Sequence, residues 1–150
     1  MKLSFDTSTL VASLVSHHPH HDACWPWFET VVRGEHEGNL CVHVLVELYA
    51  TLTVLPVRPA PTPTEVRQIL QGSVLPHFKT VELRTRDYVR ALDLVSQRLL
   101  RSGAVFDALI EIAARKSSSN HLVTLNTNDF KRLCDDADVW LIDPRQRSVP

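Results

Sequence analysis

Apolar and polar positions fall into alternating blocks along this chain, and the blocks carry two different periods. Short apolar runs at Lys2–Phe5, Leu40–Val42, Val81–Leu83, His121–Leu125 and Val139–Ile142 have the length of buried strands. The stretches between them carry the helical period. Leu10–Leu14 follows the polar turn Asp6-Thr7-Ser8. His20–Val32 places Ala23, Trp27, Phe28, Val31 and Val32 at helical spacing, with Pro26 marking a kink or a late start. Leu45–Leu52 is an apolar helix with Glu47 embedded in it. Thr62-Pro63-Thr64-Glu65 predicts a helix start with Thr as N-cap, Pro at the first position and Glu closing a capping box; the helix runs to Gln71 and stops at Gly72. Tyr88, Ala91, Leu92, Val95 and Leu99 form one stripe of a long helix closed by Gly103. Val105–Lys116 is the next helix, with Phe106, Leu109, Ile110 and Ala113 on its apolar face and Asp107 in its first turn. Strands and helices alternate from end to end, which predicts an α/β fold with a mostly parallel sheet flanked by helices, as a single domain over 1–150.

Composition narrows the function. Sixteen Lys and Arg against seventeen Asp and Glu leave a formal charge of −1, which excludes the global basic field of a bulk nucleic-acid binder but not a local basic patch. Three cysteines, Cys24, Cys41 and Cys134, form no C-x-x-C pair, so small buried thiols in a reducing compartment are expected. A carboxylate at Asp6 interrupts the place where a signal peptide needs its apolar run, and no stretch approaches the roughly 18 apolar residues of a membrane span. A cytoplasmic protein without a membrane partner is expected.

The candidate chemistry is acidic. In an open parallel sheet, functional groups gather at the carboxyl ends of the strands. Asp6 directly follows the first strand, Glu47 lies about a turn beyond the second, Asp107 opens a helix, and Asp129 lies just past His121–Leu125. Taken singly, Asp6 fits a helix cap, Asp107 fits a helix dipole and Asp129 fits a turn. Glu47 within Val44-Leu45-Val46-Glu47-Leu48 is harder to place without a partner or a cleft. Gathered together, such carboxylates repel unless cations neutralise them, and hard oxygen donors suit Mg²⁺ or Mn²⁺.

The same residues carry a family resemblance. Phe5-Asp6-Thr7-Ser8-Thr9-Leu10-Val11-Ala12 resembles the opening motif of PIN-domain proteins, Val46-Glu47-Leu48 the second, Val105-Phe106-Asp107-Ala108-Leu109-Ile110 the third, and Thr124-Leu125-Asn126-Thr127-Asn128-Asp129-Phe130 the fourth. Order and spacing match over essentially the whole chain, whose length is that of the small VapC-type toxins. The resemblance implies a PIN-like three-layer sandwich and a Mg²⁺- or Mn²⁺-dependent endoribonuclease that leaves a 5′-phosphate. It also implies an RNA substrate, a cognate antitoxin partner and a homodimer. Asp6, Glu47, Asp107 and Asp129 become the catalytic and metal-binding set. Asn126 stands where many relatives carry Asp, which leaves the fourth ligand open between Asn126 and Asp129. Ser8 stands where Asn is common.

Other signals are secondary. The tract His17-His18-Pro19-His20-His21 reads as a solvated loop and helix start rather than a metal site. His43 shares a helix face with Glu47 if the helix begins that early. Thr7, Ser8 and Thr124 hydroxyls are candidates to orient a metal-bound water. Arg115-Lys116 and Lys131-Arg132 are candidates to hold RNA phosphates. Trp25, Trp27, Phe28, Leu52, Val54 and Leu55 offer apolar surface for a dimer. Two other functions stay open: a non-catalytic PIN-like RNA- or protein-binding module, and a metal-independent ribonuclease using some of the eight histidines.

Overall fold

The computed structural model describes all 150 residues. Its centre is a five-stranded, wholly parallel sheet built from β1 (Lys2–Phe5), β2 (Glu37–Cys41), β3 (Phe78–Val81), β4 (His121–Val123) and β5 (Leu141–Ile142), in the order β3-β2-β1-β4-β5. β1 pairs with β2 through Leu3↔Gly38 and with β4 through Phe5↔Val123. Both sheet faces are covered, so the strands read as near-continuous apolar runs centred on Leu3, Phe5, Leu40, Leu122, Val123 and Ile142. Helices α1 (Thr7–Leu14), α2 (His21–Val32), α3 (Val42–Leu52) and α4 (Pro63–Ile69) carry the chain from β1 outward to β3. Helices α5 (Thr85–Gln97) and α6 (Ala104–Lys116) bring it back across the sheet to β4, with α6 lying against β2, β3 and β4. Short α7 (Thr127–Lys131) and α8 (Ala137–Trp140) lead to β5. Right-handed crossovers running in opposite directions put these helix sets on opposite faces, which makes the three layers of the expected sandwich. No helix is long and apolar enough to cross a membrane.

The order of strands has a functional consequence. Connections leave β1 toward β2 on one side, while β4 and β5 are added on the other. The sheet therefore has its switch point between β1 and β4, where an open α/β sheet forms a crevice beyond the carboxyl ends of its strands.

Several boundaries differ from the sequence expectation for identifiable reasons. The helix starting at Thr62 does not stop at Gly72: its capping box forms, with Glu65 N–H donating to Thr62 at 3.2 Å and Thr62 N–H to Glu65 at 2.7 Å, but the chain continues through a π-helical turn, Leu70–Val74. The helix expected to close at Gly103 ends at Gln97, because Leu99 adopts a left-handed backbone (φ 55) and projects into solvent. Its buried edge is Ala91 with the partly covered Leu94 and Val95, while Tyr88 and Leu92 are exposed. Half of the last strand segment, Val139 and Trp140, is instead in α8, leaving only Leu141–Ile142 paired. Of the apolar residues expected to offer a dimer surface, Trp27, Phe28 and Leu52 are buried in the core, while Trp25 and Val54 are exposed. Cys24, Cys41 and Cys134 are buried and unpaired.

Gly38 marks a close packing of helix on sheet. A Cβ there would collide with Val31 Cγ1 of α2 and lie 2.7 Å from Phe78 Cδ1. Phe78 is wedged edge-on against Phe5 at 5.3 Å between centroids and tilted against Phe28 at 5.6 Å. Neither neighbour has room to yield. Gly38→Ala should therefore destabilise the protein by about 2 kcal/mol, seen as a fall in Tm of roughly 4–8 °C. An unchanged melting curve would show that α2 and β3 can separate freely at this point.

Candidate functional site

Asp6 sits at the switch point. Its backbone N–H donates to the Val123 carbonyl at 3.3 Å, continuing the β1–β4 ladder by one residue, and its side chain caps α1 by accepting from Thr9 N–H at 3.0 Å. The carboxylate is 2 % exposed and receives two hydroxyls as well. Ser8 Oγ spans both oxygens at 2.9 and 2.8 Å, and Thr124 Oγ1 donates to Oδ2 at 2.7 Å. Each hydroxyl is itself held: Ser8 Oγ accepts from Leu125 N–H at 3.3 Å and Thr124 Oγ1 from Asn126 N–H at 2.9 Å. The first and fourth motifs are thus one interlocked structure centred on a single carboxylate. Capping and a charged role are not alternatives for Asp6, because the same oxygens do both.

Glu47 and Asp107 are brought in from the helices. The Thr7 hydroxyl donates to Glu47 Oε2, tying α3 to the start of α1. α3 begins at Val42, early enough to set His43 on the face of Glu47, with Nε2 3.6 Å from Oε1. The His43 ring stacks on Phe106 of α6 at 5.1 Å and 11° between planes. Phe106 therefore belongs not to the core face expected of it but to a solvent-edge clasp, 45 % exposed, that holds α3 against α6 one residue before Asp107. Asp129 lies exposed on α7 in a 3.0 Å ion pair with Arg132. Asn126 is the residue before α7, and its side chain makes no hydrogen bond.

The electrostatics show that these carboxylates share one region. Asp107 is pushed up to about 7, first by burial and then by repulsion from Asp6, Asp129 and Glu47, with Arg132 pulling the other way. Burial also raises Asp6, against the hydrogen bonds from Thr9, Thr124 and Ser8. Asp6, Glu47, Asp107 and Asp129, expected to form one metal-binding set, are not drawn tightly together: no three His, Cys, Asp or Glu side chains are gathered around a single point. The arrangement is an open acidic rim whose donors are all hard oxygens, which matches Mg²⁺ or Mn²⁺ in chemistry.

Several lesser candidates move. Thr7, Ser8 and Thr124 are committed to Glu47 and Asp6 and are not free to orient a water. Arg115 and Lys116 lie roughly 12 Å along α6 from Asp107. Arg115 binds Glu111 and Asp136 and stacks on Trp140, and Lys116 pairs with Asp87 at 2.7 Å, so neither is poised for RNA at the rim. Lys131 pairs with Asp138. Arg132 alone among them acts on Asp107. The His43–Phe106 clasp went unseen in the sequence, since an aromatic at helical spacing reads as core.

The raised carboxyl has a stability signature. Asp107 binds its proton more tightly folded than unfolded, so folding is favoured at low pH and loses stability as pH rises from about 4 through about 7. In EDTA, the Tm of the wild type should fall between about pH 5 and about pH 7.5, and Asp107→Asn should flatten that fall. An identical slope in the variant would mean that Asp107 titrates normally.

Comparison with known proteins places this geometry. No family model matches the chain. Over 129 residues it is 31% identical to Ribonuclease VapC27 of Mycobacterium tuberculosis, spanning 86% of this chain and 85% of that protein. Its fold is similar to that in VapBC2 from Rickettsia felis bound to a promoter DNA fragment, with a TM-score of 0.64 and 20% identity over 95% of this chain and 98% of that one. It is also similar to Mycobacterium tuberculosis VapC20, a Sarcin-Ricin loop cleaving toxin, with a TM-score of 0.61 and 15% identity over 80% and 86% of the two chains. Sharing its fold with these structures and its sequence with VapC27 across most of both chains, this protein belongs to the VapC-type PIN-domain family.

Proposed function

We propose that this protein is a divalent-metal-dependent endoribonuclease, the toxin of a toxin–antitoxin pair, and that Asp6, Glu47, Asp107 and Asp129 hold its Mg²⁺ or Mn²⁺. The observation that carries this reading is the 31% identity to Ribonuclease VapC27 across most of both chains, and the crowding that pushes Asp107 up to about 7, by burial and by Asp6, Asp129 and Glu47, is in keeping with it. A fold gains nothing in stability from such crowding; a cation relieves it. Kinship with Ribonuclease VapC27 supports RNA as the substrate, and structures of VapBC and FitAB complexes among the fold neighbours support an antitoxin partner.

Mg²⁺ held there would supply the two things that phosphodiester hydrolysis needs, neutralisation of the phosphate oxygens and activation of water, so that no side-chain nucleophile would be required. The chain's own residues set the rim in place. Thr9 and Thr124 fix the plane of the Asp6 carboxylate, and the Ser8 hydroxyl bridges both its oxygens. Thr7 orients Glu47, and the His43–Phe106 clasp keeps Glu47 and Asp107 on facing helices. Arg132 moderates the repulsion at Asp107 while engaging Asp129. Of the two fourth positions, Asp129 is the ligand and Asn126 lines the cleft next to it. A homodimer would bury the exposed Trp25, Val46, Tyr49 and Val54.

RNA incubated with the protein should be cut in Mg²⁺ and left intact in EDTA. Asp107→Asn should lower cleavage at least about a hundredfold while leaving Tm in EDTA unchanged or higher, since charge repulsion is relieved and no core volume is lost. Asp129→Asn should damage cleavage more than Asn126→Asp. Cleavage that survives EDTA would overturn the metal reading, and a melting loss that tracks every loss of cleavage would make the rim structural.

A further inference from the structure

Beside the acidic rim lies a cleft of about 570 Å³ whose wall contains no carboxylate. Thr7, Ser8, Asn126, His18, His20 and Arg145 all line it, and Thr7 and Ser8 are the residues that also touch Glu47 and Asp6. The chain has taken care over how these donors point. The Arg145 guanidinium is gripped by Asp143, Nε to Oδ1 at 2.8 Å and Nη2 to Oδ2 at 2.6 Å, and Nη2 also reaches the Leu125 carbonyl at 3.1 Å. Its Nη1 has no protein acceptor. Asp143 is buried beyond the end of β5; burial would raise its carboxyl, but the Arg145 hydrogen bonds, helped by His20, hold it below the ordinary range. In the α1–α2 turn, His18 Nδ1 accepts from His20 N–H at 3.1 Å, which fixes the tautomer so that Nε2 carries the hydrogen. His21 turns away to the Ala12 carbonyl at 2.9 Å, so the histidine tract is not a uniform solvated loop. The Asn126 amide is also unpartnered.

Unsatisfied N–H donors around a cleft without acid, opening beside a hydrolytic centre, make an oxyanion site. We propose that this cleft binds the RNA phosphate next to the scissile one, through Arg145, His18, His20 and Asn126, and so sets how the strand crosses the acidic rim. The inference rests on the ribonuclease reading for the word scissile, but not for the binding itself. The competing place for RNA is the basic cluster at the far end of α6, where Arg86 and Arg90 have no ion-pair partner beside the engaged Arg115 and Lys116.

The test is salt-dependent binding of a labelled, mixed-sequence single-stranded RNA oligonucleotide to the full chain carrying Asp107→Asn, in EDTA, so that neither cleavage nor metal enters the readout. Adding His18→Gln, His20→Gln and Arg145→Gln together should weaken binding about tenfold and reduce the slope of log Kd against log salt by about 0.7. Asp143→Asn, which frees Arg145 without removing it, should give a smaller loss. Arg86→Gln with Arg90→Gln should leave both affinity and slope unchanged. With Asp107 restored and Mg²⁺ present, the triple variant should raise KM for RNA while kcat stays within about twofold. His18→Gln and His20→Gln alone, on a half-buried turn outside the core, guard against a folding artefact and should each show part of the effect. An unchanged slope in the triple variant, or a slope lost instead in the Arg86 and Arg90 variant, overturns the proposal. RNA bound with the expected slope change but never cut would sink the ribonuclease reading and leave this site standing; cutting with unaltered KM and slope would do the reverse.

Discussion

The structure depends on one buried carboxylate. Asp6 follows β1 at the sheet's switch point, caps α1, and accepts hydroxyls from Ser8 in the first turn of α1 and from Thr124 just after β4. Without its negative charge, Ser8 and Thr124 would lose their shared acceptor, and with it the cross-tie between two segments more than a hundred residues apart in sequence. A neutral side chain of the same shape offers one acceptor where four donor contacts converge. The fold thus needs an anion at the very place where an acidic site needs its first ligand, and this double use keeps a buried charge tolerable before any cation binds.

Everything else at the rim is arranged relative to that charge. Thr7 leans Glu47 toward it, and the stacked His43 and Phe106 hold α3 and α6 at the spacing that exposes Asp107 to three other carboxylates. The cost is electrostatic, and it appears as the raised Asp107. On the other side of Asp6 the charge pattern changes: Asp143 orients Arg145, and the cleft beyond is lined by no carboxylate. An acidic rim next to a cleft lined by no carboxylate is the charge pattern that the proposed metal-dependent phosphodiesterase would require of its substrate path.

Much of this was legible in the sequence because it follows local rules. The helix cap at Thr62, the apolar strands and the acidic residues at strand ends each follow from a short run of neighbours, and alternation of elements implied the parallel sheet. What was not legible depended on contacts between distant segments. Phe106 has the spacing of a core residue and becomes a clasp only because His43 arrives on another helix. Arg115 neighbours the Asp107 segment in sequence yet sits at the other end of a helix, locked to Asp136. The left-handed turn at Leu99 truncates a stripe whose periodicity alone would have continued. The histidine tract looked uniform, whereas the turn at Pro19 sends His18 and His20 to the cleft and His21 elsewhere.

The central claim is that carboxylates from four segments share one electrostatic site organised by Asp6. Carbon-detected NMR titration of the carboxyl groups, in EDTA, measures this directly in wild type and in Asp6→Asn. The account predicts an Asp107 carboxyl titrating near 7 in the wild type and moving down, by the part of the shift that Asp6 causes, when the charge at position 6 is removed, with burial keeping it above the ordinary aspartate range. An Asp107 that titrates near 4 in the wild type, or one that ignores the change at Asp6, would contradict it.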